Sequence, residues 1–164
     1  MDNAMIPVSA DYPEEIAVAV RPEDDRVWVP QAPNVWFRPL MFNTVTGQWC
    51  NLLKVTASGI VSRHRHPGAV FGYVIEGRWH YYEHEWVAEK GHFVYEPPGE
   101  IHTLAVPEDC DYMITLFNIS GAMVYVDEDG RQTGYEDTFT KIDLCRAHYE
   151  RVGLGRDYVT QFIR

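Results

Sequence analysis

The sequence predicts an all-β protein, either a small barrel or a sandwich of two sheets, with one helix near the C terminus. Short runs of β-branched and aromatic residues recur from Val35 onward. Turn dipeptides ending in glycine separate them, as at Ser58-Gly59 and Lys90-Gly91. Many short strands at this spacing are typical of sandwiches and barrels. The 164 residues are enough for one domain with a sizeable core.

The N-terminal stretch, residues 1–34, differs from the rest because five prolines punctuate it. We interpret it as an arm packed on the domain that residues 35–164 form. Trp28 and Trp36 are expected to hold the arm in place, since each indole buries roughly 150–250 Å².

Eight strands are predicted from apolar or alternating runs. They cover residues 35–42, 49–57, 70–75, 78–84, 92–96, 102–106, 113–119 and 122–126.

A helix is predicted at about residues 140–152, because four apolar residues recur there at spacings of three, four and three. These residues are Ile142, Cys145, Tyr149 and Val152. Asp137 or Thr138 is placed to cap its start, and Gly153 follows its end. The last segment, residues 158–163, is predicted to be a short strand.

Composition argues against two classes of partner. The net charge of −10 disfavours binding to nucleic acid, because such a surface repels phosphates. No apolar run approaches the ~20 residues of a membrane-spanning helix, so no membrane is expected. The first residues lack a basic stretch followed by an apolar one, and a cytoplasmic location is therefore predicted.

Three histidines carry the functional signal. His64 and His66 are two residues apart, so on a strand both imidazoles leave the same face. His102 follows a Pro98-Gly99 turn at the start of another predicted strand. We predict that these side chains hold one metal ion, and we interpret the other four histidines as ordinary polar residues.

The predicted ligand set constrains the chemistry. Imidazoles suit iron, nickel, copper or zinc, and the residues alone do not choose among these metals. A six-coordinate iron held by three side chains keeps about three open positions, enough for a bidentate substrate and dioxygen. Neutral ligands leave the metal charge uncompensated, which favours an anionic ligand such as an enolate.

Gly59, His64-x-His66 and Gly77 form one motif, and Gly91, Pro97-Pro98-Gly99 and His102 form a second. These motifs resemble the first and second motifs of the cupins, and the resemblance covers about residues 40–125. The resemblance implies a double-stranded β-helix, or jelly-roll barrel, with the metal inside.

The sequence departs from the common cupin pattern at two positions. Val70 stands where common cupins have a metal-binding glutamate, and Val106 where they have an asparagine. The remaining three-histidine pattern resembles cupin dioxygenases that cleave carbon–carbon bonds next to ketones, above all 2,4'-dihydroxyacetophenone dioxygenase and more distantly acetylacetone dioxygenase. This resemblance implies Fe(II), with nickel or zinc as substitutes in a purified sample. It also implies O2 and an aromatic α-hydroxyketone as substrates, and a carboxylate and formate as products.

Three further residues are assigned to the site. Glu96, six residues before His102, is a candidate for handling the substrate proton, and a solvated strand-end carboxylate is an equal alternative. Arg78 is a candidate partner of Glu96 and with it a candidate catalytic residue. Val70 is expected to open a ligand position and to provide an apolar wall for the substrate.

Two other functions remain open at this stage. One is a metal-dependent isomerase or lyase on the same barrel, acting on a polar small molecule. The other is a non-enzymatic sensor or binding cupin, like the C-terminal domain of an anti-sigma factor. A homodimer or homotetramer is expected in any of these cases, with the terminal segments as candidate interfaces.

Overall fold

Two antiparallel sheets of six strands each face one another and enclose the core. The computed structural model describes residues 13–19, 21–22 and 24–164. It confirms the predicted all-β class with one C-terminal helix. Residues 1–12, 20 and 23 of the predicted N-terminal arm lie outside the described residues.

The strands are numbered β1 to β12 in chain order. The first sheet has the order β1-β2-β3-β10-β5-β8, formed by Val29–Ala32, Val35–Phe42, Gln48–Thr56, Tyr112–Ser120, Val70–Glu76 and Phe93–Glu96 respectively. The second sheet has the order β12-β11-β4-β9-β6-β7, formed by Gln132–Glu136, Met123–Val126, Ile60–Arg65, Ile101–Ala105, Arg78–Tyr81 and Val87–Glu89 respectively.

Strand β5 illustrates how the sequence builds these sheets. Val70 and Val74 are buried, and the alternate residues Phe71 and Tyr73 are exposed on the outer face. This period of two places one set of side chains in the space between the sheets. Side chains buried in this space form the main core, with Phe37, Trp49 and Trp79 among its largest members. A second, smaller cluster includes Leu52 and Ile114.

The apolar pattern of the sequence did not predict four of the strands, which are β1, β4, β7 and β12. Strand β4 carries the polar stretch Ser62–Arg65, and β12 is an edge strand with mostly exposed side chains. Periodicity of apolar residues is therefore weak in both. Strand β1 lies in the stretch that we interpreted as an arm, and it pairs with β2 at the edge of the first sheet.

The short strand predicted at residues 158–163 is wrong. Residues Arg156–Phe162 form a 3-10 helix, and only Ile163 makes a bridge, to Phe42. Val159 and Phe162 are both buried, and their spacing of three matches the period of a 3-10 helix.

The predicted C-terminal helix, α1, covers Thr138–Arg151. Asp137 caps it: its side chain accepts a hydrogen bond from the backbone N–H of Thr140, and the Thr140 hydroxyl oxygen accepts one from the backbone N–H of Asp137. Gly153 follows with a φ of 78°, the left-handed conformation that glycine tolerates after a helix.

Helix α1 packs against β1 and the neighbouring 3-10 helix at Asp25–Val27. Tyr149 is fully buried and donates a hydrogen bond to the carbonyl oxygen of Val27. In the described residues, no helix has the length and apolar character needed to cross a bilayer.

Candidate metal centre

The three histidines come together because neighbouring strands carry them. His64 on β4 lies directly opposite His102 on β9 in the register of the second sheet. His66 comes just after the end of β4, and its carbonyl oxygen accepts a hydrogen bond of 2.8 Å from the N–H of Gly99. This bond ties the Pro-Gly turn to the histidine pair, so the spacing predicted from the sequence becomes one site.

The ligand atoms of His64, His66 and His102 all lie within 4.8 Å of one another. His64 Nδ1 is 2.7 Å from the carbonyl oxygen of Ser62, and His66 Nδ1 is 3.1 Å from that of Ala122. A carbonyl oxygen only accepts, so each Nδ1 carries the hydrogen and each Nε2 keeps its lone pair. Two of the three rings are thus oriented as metal ligands by backbone acceptors.

Burial keeps all three rings neutral. Their side chains are buried, and this burial lowers the pKa of His64 to about 4, of His66 to about 3 and of His102 to about 2. Neutral imidazole is the form that binds a metal ion.

The residues present fit a divalent metal ion. Both ring nitrogens of His102 are buried without a hydrogen-bond partner among the described residues. Its ring is instead fixed by stacking on Tyr81, with 4.1 Å between the centroids and 10° between the planes. An unpartnered buried nitrogen is costly, and a metal ion at the point shared with His64 and His66 gives one of the two nitrogens a partner.

Glu96 lies beside the histidines. Its side chain is buried, and Oε2 is 3.4 Å from His102 Nε2 and 3.6 Å from His66 Nε2. Tyr81 donates a hydrogen bond to Oε1, whereas Oε2 has no hydrogen-bond partner in the described part of the chain. Burial raises the pKa of Glu96 to about 7. The solvated carboxylate that was an equal alternative in the sequence is therefore not what the structure contains.

Glu96 also lies opposite Val70, the position at which common cupins have a metal-binding glutamate. Val70, which occupies that position, pairs with Glu96 across strands β5 and β8. A carboxylate thus reaches the same region of the cavity from the neighbouring strand.

Val70 lines the cavity together with other apolar side chains. These include Trp49, Leu53, Leu104, Phe117 and Met123. The cavity measures about 40 Å³, room for roughly three water molecules. A ligand larger than this fits only after a wall residue moves.

Arg78 lies away from the cavity, and its predicted pairing with Glu96 is wrong. Its guanidinium is 2.6 Å from the carboxylate of Asp109. Strand β6 alternates, so Trp79 and Tyr81 are buried, whereas Arg78 is only half-buried. Tyr81, three residues further along β6, lies on the buried face of the strand and donates a hydrogen bond to Glu96.

Sequence reasoning missed Tyr81, Gln31 and Lys141, which all line the cavity. Two signals were present. Tyr81 shares the inward phase of its strand with Trp79, and Lys141 lies four residues before Cys145 on the apolar stripe of the predicted helix. A lysine on such a stripe needs a buried partner.

Comparison with known proteins gives a consistent fold. The family model described as the ChrR cupin-like domain matches residues 17–123. No curated protein matches the chain. A cupin protein from Ralstonia eutropha is 31% identical, with a TM-score of 0.73 over 77% of this chain and 83% of that one.

Two other solved structures share the fold at lower identity. Acetylacetone dioxygenase from Acinetobacter johnsonii is 16% identical, with a TM-score of 0.75 over 88% of this chain and 99% of that one. The anti-sigma ChrR of Rhodobacter sphaeroides, in complex with SigE, is 21% identical, with a TM-score of 0.52 over 61% of this chain and 51% of that one. At such identities the likeness concerns the fold alone.

Proposed function

The chain belongs to the ChrR cupin-like domain family, and on that premise we propose that it is a non-haem Fe(II) dioxygenase that cleaves a carbon–carbon bond of a ketone. The proposed substrate is an aromatic α-hydroxyketone of the 2,4'-dihydroxyacetophenone type, which would give a carboxylate and formate. The observation that carries the proposal is the cluster of three buried, neutral histidines. Its support from fold comes through the likeness to acetylacetone dioxygenase.

His64, His66 and His102 would hold the iron, and the bound iron would supply the open positions at which ketone and dioxygen meet. The protein itself orients the ligands and provides apolar surface for the substrate. Backbone carbonyls fix the rings of His64 and His66, and apolar side chains form much of the cavity wall.

Glu96 is proposed to accept the proton that the substrate hydroxyl loses on binding. Its Oε2 is the carboxylate oxygen that faces the ring nitrogens of His66 and His102, and the hydrogen bond from Tyr81 occupies the other oxygen. An acceptor within hydrogen-bond reach of the reacting group is what a general base requires.

Met123 is the wall residue best suited to admit an aromatic ring. It is half-buried and lines the cavity, and its unbranched thioether changes rotamer easily. An α-hydroxyketone with an aryl group therefore requires a shift of this side chain, whereas a small β-diketone requires less.

Dioxygen consumption tests the proposal. The protein is loaded with Fe(II) without air and then mixed with aerated buffer and a panel of aromatic α-hydroxyketones and β-diketones. We expect uptake that matches carboxylate production one to one with at least one compound. Iron bound at the three histidines without uptake for any compound would contradict the proposal, and undiminished turnover without dioxygen would favour the isomerase or lyase alternative.

Replacing Glu96 with glutamine tests the proton acceptor. Glu96→Gln keeps the side-chain shape but removes the carboxylate, so we expect kcat to fall by ~10²–10⁴-fold with the iron content unchanged. Turnover by an electrode and metal by atomic absorption give the two quantities. Glu85→Gln, at an exposed carboxylate, is the matched control, and unaltered kcat in Glu96→Gln would remove Glu96 from the mechanism.

A second candidate is a non-enzymatic sensor. The observation that favours it is the family match itself, since the ChrR seen in a solved structure is an anti-sigma bound to SigE. Binding of a ketone to the metal-loaded protein without any dioxygen consumption is the result that distinguishes this function from catalysis.

The assembly and location of the protein stay predictions. Light scattering coupled to size-exclusion chromatography tests the expected homodimer or homotetramer, and cell fractionation tests the cytoplasmic location.

A further inference from the structure

A second polar cluster borders the metal cavity through two of its members, Gln31 and Lys141, and contains none of the three histidines. It consists of Gln31 on β1, Tyr125 on β11, Glu136 on β12 and Lys141 on α1, and we call it the lysine cluster. Lys141 Nζ is 2.6 Å from Glu136 Oε2 and donates a hydrogen bond of 2.7 Å to Gln31 Oε1. The amide nitrogen of Gln31 donates to the hydroxyl of Tyr125 at 3.0 Å.

The lysine cluster and Glu96 occupy opposite sides of the site. Strand β8, which carries Glu96, is one edge of the first sheet, and β1, which carries Gln31, is the other edge. In the second sheet, β4 and β9, which hold His64 and His102, are the two central strands. A ligand at the histidines therefore has a carboxylate on one side and an ammonium with an amide on the other.

The cluster has hydrogen-bond donors to spare. An ammonium carries three N–H bonds; Gln31 accepts one of them, and Glu136 is the ion-pair partner of the ammonium. The Gln31 amide carries two, of which Tyr125 takes one. Phe37 covers another side of the ammonium, with Nζ 4.3 Å from the ring centroid. Both Gln31 and Lys141 border the cavity, which leaves their remaining donors for an oxygen atom of a ligand.

The charge of the cluster indicates what kind of oxygen fits. Glu136 already neutralises Lys141, so the pair is net neutral and offers hydrogen bonds rather than a free positive charge. A neutral or partly charged acceptor, such as a phenol or carbonyl oxygen, suits it better than a free carboxylate. The remaining wall is apolar and fits the hydrocarbon between the two polar ends.

We propose that Lys141 and Gln31 form a subsite that binds a second oxygen of the ketone ligand, at the far end from the metal. The proposal rests on the proposed function for the position of the ketone group at the histidines. Part of the subsite lies outside the family match, since Lys141 and its partner Glu136 follow residue 123, whereas Gln31 lies within it. A ring hydroxyl in the para position of an aryl ketone is the acceptor that we expect there.

Binding of two matched ketones tests the subsite without turnover. The protein is loaded with Zn(II), which has no redox chemistry, and titrated by calorimetry with 4'-hydroxyacetophenone and with acetophenone. We expect the hydroxylated ketone to bind roughly 10-fold more tightly or better, because it alone gains a hydrogen bond to a charged group. Equal binding of both ketones to the unmodified protein would overturn the proposal.

Two variants locate the effect. Lys141→Met and Gln31→Leu should each abolish most of the preference and leave acetophenone binding unchanged, and Lys90→Met, at an exposed lysine, should leave both affinities unchanged. Gln31→Leu keeps the Lys141–Glu136 pair, so it remains informative if Lys141→Met folds poorly. An equal loss for both ketones would mean that the cluster serves the fold rather than the ligand.

The ketone-binding test and the dioxygen assay can fail independently of each other. A preserved preference without dioxygen uptake would refute the dioxygenase and leave the subsite standing. Uptake without any preference for the hydroxylated ketone would refute the subsite alone.

Discussion

Replacing His102 with alanine should remove the metal and the activity together. His102 is one of three donors, and the remaining His64 and His66 occupy only two positions around the ion. Loss of an outer-shell partner alone typically costs 10–100-fold in metal affinity, and loss of a direct ligand should cost ~100-fold or more. We therefore expect a metal content below about a tenth of an equivalent after gel filtration, measured by atomic emission, and turnover at the background rate.

The same variant should fold normally without metal. Both ring nitrogens of His102 are buried and unpartnered in the described residues, so their removal deletes an unfavourable contribution along with the packing of the ring on Tyr81. Thermal unfolding with and without added metal separates loss of the metal site from any change in the stability of the fold. Added Ni(II) or Zn(II) should raise the Tm of the unmodified protein by preferential binding to the native state, and should leave the Tm of His102→Ala unchanged.

His92→Ala is the matched control for His102→Ala. His92 is exposed and lies outside the cluster, where it accepts a hydrogen bond from the backbone N–H of Glu89. It should keep full metal content, full turnover and the metal-dependent rise in Tm. Full metal content in His102→Ala itself would contradict the assignment of the site.

The three histidines were predictable because local rules place them. A spacing of two on an extended chain fixes the relative direction of His64 and His66, and a Pro-Gly turn fixes where the next strand begins. The pairing of His64 with His102 also requires β4 and β9 to be neighbours, which the apolar pattern did not predict because β4 is polar. The resemblance to the cupins supplied that step.

The partner of Glu96 differs from the candidate that the sequence suggested, because the alternation of a strand decides which of its side chains reach the core. Arg78 offered the opposite charge, yet the alternation of β6 places it on the outer side with Asp109. Tyr81 satisfies the carboxylate with a hydroxyl instead. In a half-buried strand, the face on which a residue lies is decided by apolar burial, which outweighs a single exposed ion pair.

The lysine cluster was beyond sequence reasoning for a different reason. Gln31 and Lys141 are 110 residues apart, and their contact depends on how α1 packs over the edges of both sheets. The apolar stripe of the predicted helix indicates which face of α1 is buried, but nothing in the stripe indicates what lies beneath it. Contacts between an edge strand and a distant helix are set by tertiary packing, which a local pattern does not encode.

The two motif glycines, Gly77 and Gly91, should respond very differently to substitution by alanine. Both have positive φ, 70° at Gly77 and 89° at Gly91, so each substitution carries the strain of a left-handed residue, about 1–2 kcal/mol. Only Gly77 is also crowded. A Cβ there would lie 2.1 Å from the carbonyl oxygen of Tyr112 and 2.9 Å from Cα of Met113, whereas a Cβ at Gly91 meets nothing within 4 Å.

Gly77→Ala should therefore destabilise the protein by about 3 kcal/mol or more, because the atoms in the way belong to the backbone of β10 and a rotamer change cannot relieve the contact. A loss of that size lowers the Tm by roughly 6–12 °C in a chain of this length, against roughly 2–8 °C for Gly91→Ala. Thermal unfolding of the two variants in parallel measures the difference, and equal Tm values would contradict it.

Folded Gly77→Ala at low temperature should still bind metal at His64, His66 and His102. Gly77 holds the turn between β5 and β6 against β10 and contributes no ligand. Loss of metal from the folded variant would instead mean that the position of β10 controls the geometry of the histidines.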